Sequence, residues 1–420
     1  MNIKLSKAAE NMQGSEIVKL GNAIRERIRL GDKIYNFTIG DFNSSVFPIP
    51  AVLEDYIIQA YKDGFTTYPL AEGEVDLREA VAAFYAEKLG IDYGLNEIQI
   101  ASGGRPLIYA TFHTLVDPGD KVVYAVPSWN NNHYTNIHQG EHCVIPATAE
   151  NAFMPTAASI EPHLKGAALL CLCTPQNPTG TTLSDPELKR ICELVVEENS
   201  RRGEGEKKLY LLFDQMYWTL NFEEAEQSNP VKLVPAMKDY CIFVDGASKA
   251  FASTGIRVGW GAGPAMVIAK MKAIITHMGA WAPMPEQKGV AHFLKNKIAV
   301  DNYLDGFRQK ILYRLQEIHK GFQQLKTEGF PVECIAPQAA IYLTIQFDLA
   351  GRSSADGTIL KTQEEVTNYL LEKAGLAIVP FYAFGNDHSS NWYRLSVGTC
   401  KEEDIQPMFE KLREALNGLT

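Results

Sequence analysis

Residues 241–260 read CIFVDGASKAFASTGIRVGW. An apolar run closed by Asp245 leads into a turn of small residues around Lys249, and a second apolar run follows from Arg257. A buried strand, a tight turn bearing one lysine and another strand are the simplest reading of that pattern. Four similar runs lie upstream: IQIAS (98–102), KVVYA (121–125), ALLCLC (168–173) and LYLLFD (209–214). Each precedes turn residues or a helical pattern, as expected of βα units around a largely parallel sheet.

Helices are expected at 51–63, after Pro50 and closed by Gly64, and at 75–89, where Leu77, Ala80, Val81, Phe84 and Leu89 recur at helical spacing. Ser184 and Glu187 predict a capping box, with Pro186 in the first turn of the helix that follows. The mixed-charge run 197–208 reads as a solvated loop. Beyond residue 300 the pattern changes to a long charged helix (300–328), strands near 341–347 and 393–397, and helices near 363–374 and 401–417. That change predicts a smaller α/β unit.

The 420 residues are 46% hydrophobic and 21% charged, the composition of a globular chain. Forty basic against fifty acidic side chains give a net charge of −10, the wrong sign for a nonspecific nucleic-acid binder. Seven scattered cysteines without a CxxC pair argue against a disulfide framework and a structural zinc site. No metal is expected. The polar N-terminus lacks the apolar core of a signal peptide, and no apolar run is long enough to span a bilayer. A cytoplasmic location is the expectation.

Lys249 follows a buried-looking strand among small and apolar residues, where partial desolvation lowers an amine's pKa and suits it to Schiff-base formation or proton transfer. The alternative is a solvated loop lysine. Asp214 ends an apolar strand at the edge where open α/β sheets bind ligands; it can hold a heterocycle nitrogen protonated, or simply cap the next turn. The turn TPQNPTG (174–180) presents the Asn177 amide, and SGGRPL (102–107) joins a strand to a helix whose N-terminus is a natural anion cradle. Trp129 can stack on a planar ring or pack in the core, and Arg257 and Arg394 can bind oxyanions or stay solvated.

These signals occur together and in one order. Through them, and above all through SKAFASTGIRVG (248–259), the chain resembles the fold-type I, class I/II pyridoxal-phosphate-dependent aminotransferases from about residue 30 to 415. It is most similar to the bacterial aspartate aminotransferases, whose GlyGlyLys phosphate turn is GlyGlyArg here. The resemblance implies an α/β fold: a large domain with a mostly parallel seven-stranded sheet flanked by helices, plus a smaller α/β C-terminal domain. The implied boundaries are an N-terminal arm and part of the small domain at 1–45, the cofactor-binding domain at 46–300 and the small domain at 301–420.

The resemblance also assigns roles. Lys249 would link to pyridoxal 5′-phosphate and shuttle the substrate proton; Asp214 would pair with the pyridine nitrogen, and Tyr217 and Asn177 with the ring's phenolic oxygen. Gly103, Gly104 and Arg105 would cradle the phosphate, with Ser248 and Arg257 as further donors. Trp129 would stack on the ring, and Tyr68 would reach the phosphate from a neighbouring subunit, which implies a homodimer. Arg394 and Gly40 would take the substrate α-carboxylate. Arg105 would meet a distal carboxylate, or else only the phosphate or solvent.

The implied reaction is L-aspartate plus 2-oxoglutarate giving oxaloacetate plus L-glutamate by ping-pong transamination, with small amino and oxo acids as partners and neither nucleic acid nor membrane. Gln215 stands where the family has an acidic residue, and Phe381 where it has glycine. The alternatives are an aminotransferase for aromatic, prephenate or other amino acids, and a β-lyase on the same fold.

Overall fold

All six apolar runs between 98 and 261 become strands of one sheet, joined by a seventh that the sequence did not announce. A computed structural model of the chain describes residues 4–5, 7–10, 16–222, 228–354 and 357–420; the arm near Ser15 lies outside them. In chain order the strands are β1 (Tyr35–Asn36), β2 (Ile98–Ala101), β3 (Lys121–Val126), β4 (Glu141–Pro146), β5 (Ala167–Cys173), β6 (Tyr210–Asp214), β7 (Cys241–Gly246) and β8 (Gly259–Ala262). They continue with β9 (Val332–Cys334), β10 (Tyr342–Phe347), β11 (Leu376–Ala377), β12 (Val379–Pro380) and β13 (Trp392–Ser396).

The large sheet has the order β2-β8-β7-β6-β5-β3-β4. Strands β4, β3, β5, β6 and β7 are parallel, while β8 is antiparallel to both β7 and β2. Two reversals restore the direction, so β2 points the same way as the parallel five. The loops after β2, β3, β5, β6 and β7 therefore leave from one edge of the sheet.

Both faces of this sheet are covered, which explains the uninterrupted apolar runs. Leu211 and Phe213 of β6 and Cys241 and Phe243 of β7 enter one core. Their alternates Leu212, Ile242 and Val244 enter the other, beneath the Gly104–Leu115 and Ala265–Met278 helices. The unannounced strand, β4, lies at the sheet edge with only Ile145 buried, so its EHCVIP sequence lacks a core strand's apolar run.

Predicted helices appear as Ala51–Lys62, Val75–Leu89, Asp185–Arg201, Lys297–Thr327, Gln363–Ala374 and Ile405–Asn417. Two details differ. Ser184 caps by position without a side-chain hydrogen bond, and the Glu187 carboxylate accepts the Ala157 N–H at 2.6 Å, which ties two helices together. The 197–208 run is also not all loop: its first five residues complete the helix, and Arg202 then bonds the Ala167 carbonyl at 2.8 Å.

A second core gathers Tyr35, Phe37 and Phe47 with residues from Phe307 onward, around an antiparallel sheet of order β12-β13-β10-β9 and the parallel pair β1-β11. The Lys297–Thr327 helix serves both cores, with Val300 and Leu304 in the first and Phe307 and Ile311 in the second. Among the described residues no helix is long and apolar enough to cross a membrane.

Candidate active site

A cavity of about 560 Å³ opens at the common edge of the large sheet, between it and the segments around Thr38 and Arg394. All of the predicted site residues line it except Gly103 and Tyr68. The sheet direction explains the convergence: Gly104 and Arg105 follow β2, Trp129 follows β3, Asn177 follows β5, Asp214 closes β6 with Tyr217 just after it, and Ser248 and Lys249 follow β7. The peptide bonds preceding Pro127, Pro175 and Pro178 are cis.

Lys249 is half-buried, and its ammonium donates to the Gly40 carbonyl at 2.5 Å. Its Nζ lies 5.5 Å from the Phe42 ring centre and 5.9 Å from that of Tyr217. Burial pulls its pKa down to about 8; the Asp41 carboxylate opposes that fall, and Arg394, Arg257 and Arg105 reinforce it. Asp214 moves the other way, to about 6, because burial outweighs the Met216 N–H that its Oδ1 accepts at 3.1 Å. The cavity therefore presents an amine whose pKa burial has lowered to about 8 and, among the described residues, a carboxylate without a cationic partner. That pairing suits a protonated heterocycle.

The backbone of the glycine turn has the form of an anion cradle. Gly103 adopts φ +94°, and a Cβ there would stand 2.3 Å from Arg257 Nη2, so only glycine lets the guanidinium lie over this turn. Arg257 is fixed by bonds from its two terminal nitrogens to the Thr254 and Ser102 carbonyls, each 2.8 Å long. The Gly103 N–H is engaged, donating to Ala101 at 2.7 Å. That leaves the Gly104 and Arg105 N–H groups, in the first helical turn, as the backbone donors of the cradle. Ser248, 7% exposed, sits beside them on the cavity wall.

Arg394 is 2% exposed, yet among the described residues no carboxylate pairs with it. Its Nη1 donates to Asn177 Oδ1 at 2.9 Å and its Nη2 to the Thr38 carbonyl at 2.7 Å, while Nε has no partner. The guanidinium lies 4.7 Å from the Tyr342 ring centre and 4.9 Å from that of Phe384. A desolvated cation held by neutral groups is a site prepared for an incoming carboxylate.

The other predicted residues fall as follows. Arg105 is exposed and stacks on Trp129, 5.3 Å from the ring centre. Tyr217 is buried, and its hydroxyl lies 2.5 Å from that of Tyr342. Tyr68 is 84% exposed, packs on Trp281 and stays outside the cavity of its own chain.

Sequence reasoning missed Tyr342, Asp41 and Arg25, which also line the cavity. Tyr342 begins a strand that was expected, so its place in the strand alternation was the available signal. Asp41 sits in the stretch TIGDFNSS (38–45), accepts from Thr254 Oγ1 at 2.6 Å and supplies the negative charge that opposes the fall in the Lys249 pKa. Arg25 carried no local signal.

A family profile described as "Aminotransferase class I and II" matches residues 32–412. The chain belongs to that family. An aminotransferase of this kind generally depends on pyridoxal phosphate, and the glycine turn, the Asp214 carboxylate, unpaired among the described residues, and the lysine of lowered pKa fit that group. Curated relatives include a "Probable aspartate/prephenate aminotransferase" of Rickettsia conorii, 28% identical over 85% of each chain, and an "Aspartate aminotransferase" of Rhizobium meliloti, 25% identical over 97% of this chain and 94% of that one. Among solved structures, the aspartate aminotransferase from Rhizobium meliloti superposes with a TM-score of 0.89, covers all of both chains and is 24% identical. That likeness carries the fold.

The lowered pKa of Lys249 has a measurable consequence. In the cofactor-free protein the neutral fraction of Lys249 rises from ~10% at pH 7 to ~90% at pH 9. Its capture by an aldehyde, followed by reduction and mass mapping, is expected to level off near pH 9, whereas an ordinary lysine keeps gaining reactivity beyond pH 10. Between pH 8 and 10.5 the unfolded chain holds this proton and the folded chain does not, so the group's contribution to stability rises with pH in that window. A Lys249 profile that tracks ordinary lysines would refute the assignment.

Proposed function

We propose that this aminotransferase converts L-aspartate and 2-oxoglutarate to oxaloacetate and L-glutamate in two half-reactions at the 560 Å³ cavity. The observation that carries the reading is the buried Arg394, unpaired among the described residues, in one cavity with Lys249, whose pKa is lowered, and with further guanidinium groups.

Pyridoxal 5′-phosphate, bound through Lys249, would supply an electron sink for the bonds at the substrate α-carbon. The amides of Gly104 and Arg105, Ser248 and Arg257 would hold its phosphate, and Trp129 would cover its ring. Asp214 would keep the ring nitrogen protonated, a pairing that offsets the burial which raises its own pKa. Asn177 uses its oxygen for Arg394 and keeps its amide N–H groups for the ring's phenolic oxygen, where the Tyr217 hydroxyl would also donate.

Arg394 would bind the α-carboxylate beside the Gly40 backbone, and Lys249, freed as an amine, would take the α-proton on Nζ and deliver it to the cofactor carbon on the far side of the amino nitrogen. Tyr342, whose hydroxyl meets that of Tyr217, would hold the phenol in place. For the dicarboxylic preference we assign Arg105, whose guanidinium sits at the Trp129 face.

The reading includes a homodimer, with Tyr68 of the partner subunit reaching the phosphate. Exposed Tyr61, Phe65, Tyr68 and Leu70 in one segment support an apolar contact there. It also places domain boundaries near residues 46 and 300, supported by the passage of the Lys297–Thr327 helix from one core to the other.

The test is to add L-aspartate without oxo acid to the cofactor-loaded protein. One equivalent of oxaloacetate per site, with a shift of the cofactor absorption, is expected. No oxaloacetate, together with a spectral shift on phenylalanine or prephenate-type partners, would transfer the assignment to those substrates. Release of pyruvate and ammonia would identify a lyase instead.

A further inference from the structure

The cavity has one wall outside both sheets. Gly21, Ile24, Arg25 and Ile28 of the Glu16–Arg29 helix line it, at the spacing of a single helical stripe. Ile24 is 1% exposed and anchors the helix against Leu371 and Ala377. Arg25 is the only charged residue of the stripe. Its guanidinium leans back along the helix into the space that Gly21 leaves, 3.8 Å from where a Cβ would stand.

Neighbouring charges on this helix are engaged, Arg29 with Glu26 at 2.6 Å and Arg27 with Asp32 at 3.0 Å. Arg25 donates only to Asn22 Oδ1 on its own helix, and no carboxylate pairs with it among the described residues. A charge inventory then singles it out. The cavity lining holds Arg25, Arg105, Lys249, Arg257 and Arg394 against Asp41 and Asp214. In the proposed function Arg257 is committed to phosphate, Arg394 to the α-carboxylate, Asp214 to the ring nitrogen and Lys249 to the chemistry. Asp41 is bonded to Thr254 and to the Phe42 N–H. Two guanidinium groups remain, Arg105 and Arg25, from separate elements. A substrate with one carboxylate leaves both without an anion.

We propose that Arg25 is a specificity-determining residue that binds the second carboxylate of a dicarboxylic amino or oxo acid jointly with Arg105. The proposal rests on the aminotransferase reading, and it makes the N-terminal helix part of the substrate pocket rather than a mere cover.

The test compares succinate with butyrate, which has one carboxylate fewer, as calorimetric ligands of the cofactor-loaded protein and of its Arg25→Gln and Arg25→Lys variants. The wild type is expected to bind succinate more tightly than butyrate. Arg25→Gln is expected to weaken succinate ~10-fold or more and to leave butyrate within ~2-fold, with Arg25→Lys recovering part of the loss. Equal weakening of both ligands would mean a structural role and overturn the proposal. So would an unchanged succinate affinity, or a wild type that does not distinguish the two ligands. Failure of the aspartate reading is seen separately, as absence of oxaloacetate from the wild type, and the succinate–butyrate difference still decides Arg25.

Discussion

Lys249→Ala is expected to lower transamination by at least ~10³-fold with every amino acid tested, while the protein stays folded. The Lys249 amine is the single group in the cavity that combines a depressed pKa, at about 8, with a position after β7 facing Asp214 and Arg394 across the same space. Its one described hydrogen bond, to the Gly40 carbonyl, is far too little to hold β7 or the Ala247–Ala250 turn together. Those are secured by Phe251 and Ala250 in the main core and by the Ala247 N–H on Val258. Loss of activity should therefore come with a thermal unfolding midpoint close to that of the wild type. Retained turnover would remove Lys249 from the mechanism; a collapse of the midpoint would make the loss of activity uninformative, and Lys249→Arg would then be the variant to compare.

The second large effect is expected from Arg394→Ala. Truncating one member of a buried, hydrogen-bonded charge pair costs about 2–5 kcal/mol, so kcat/KM should fall by ~30-fold or more. Every amino acid carries an α-carboxylate, so the loss should be of similar size for aspartate, glutamate and phenylalanine. This uniformity separates Arg394 from Arg25, whose effect is confined to substrates with a second carboxylate. Stability should change little or rise, because the unliganded protein carries this guanidinium desolvated, with Nε unpartnered. A selective loss for dicarboxylic substrates alone would falsify the α-carboxylate role.

The strands were legible because a sheet covered on both faces demands continuous apolar segments, and β5, β6 and β7 supply them without interruption. Where that demand lapses, legibility lapses with it, as in β4 at the sheet edge, or β1 and β11 with two residues each. The Ala265–Met278 and Met284–Lys295 helices went unread although Val267, Ile268, Met271 and Ile275 recur at helical spacing in the first of them. Ser184 shows the limit at the scale of one bond: the capping pattern was present, but a nearby helix terminus offered Glu187 an unpaired N–H.

Lys249, Asp214, Asn177 and the glycine turn were determined locally. Each sits at a strand end, where composition marks the change from core to turn, and small residues are compulsory because backbones nearly touch. A Cβ on Gly259 would stand 2.5 Å from the Gly103 carbonyl carbon. What only the tertiary structure decided is which side chains from remote segments share the space above those strand ends. Arg394 reaches Asn177 across 217 positions and Thr38 across 356, Tyr342 meets Tyr217 from another sheet, and Arg25 enters from the N-terminal helix. No local pattern encodes such meetings. They follow from the direction of seven strands and the seating of a second core on their common edge, and these depend on all the segments packing at once.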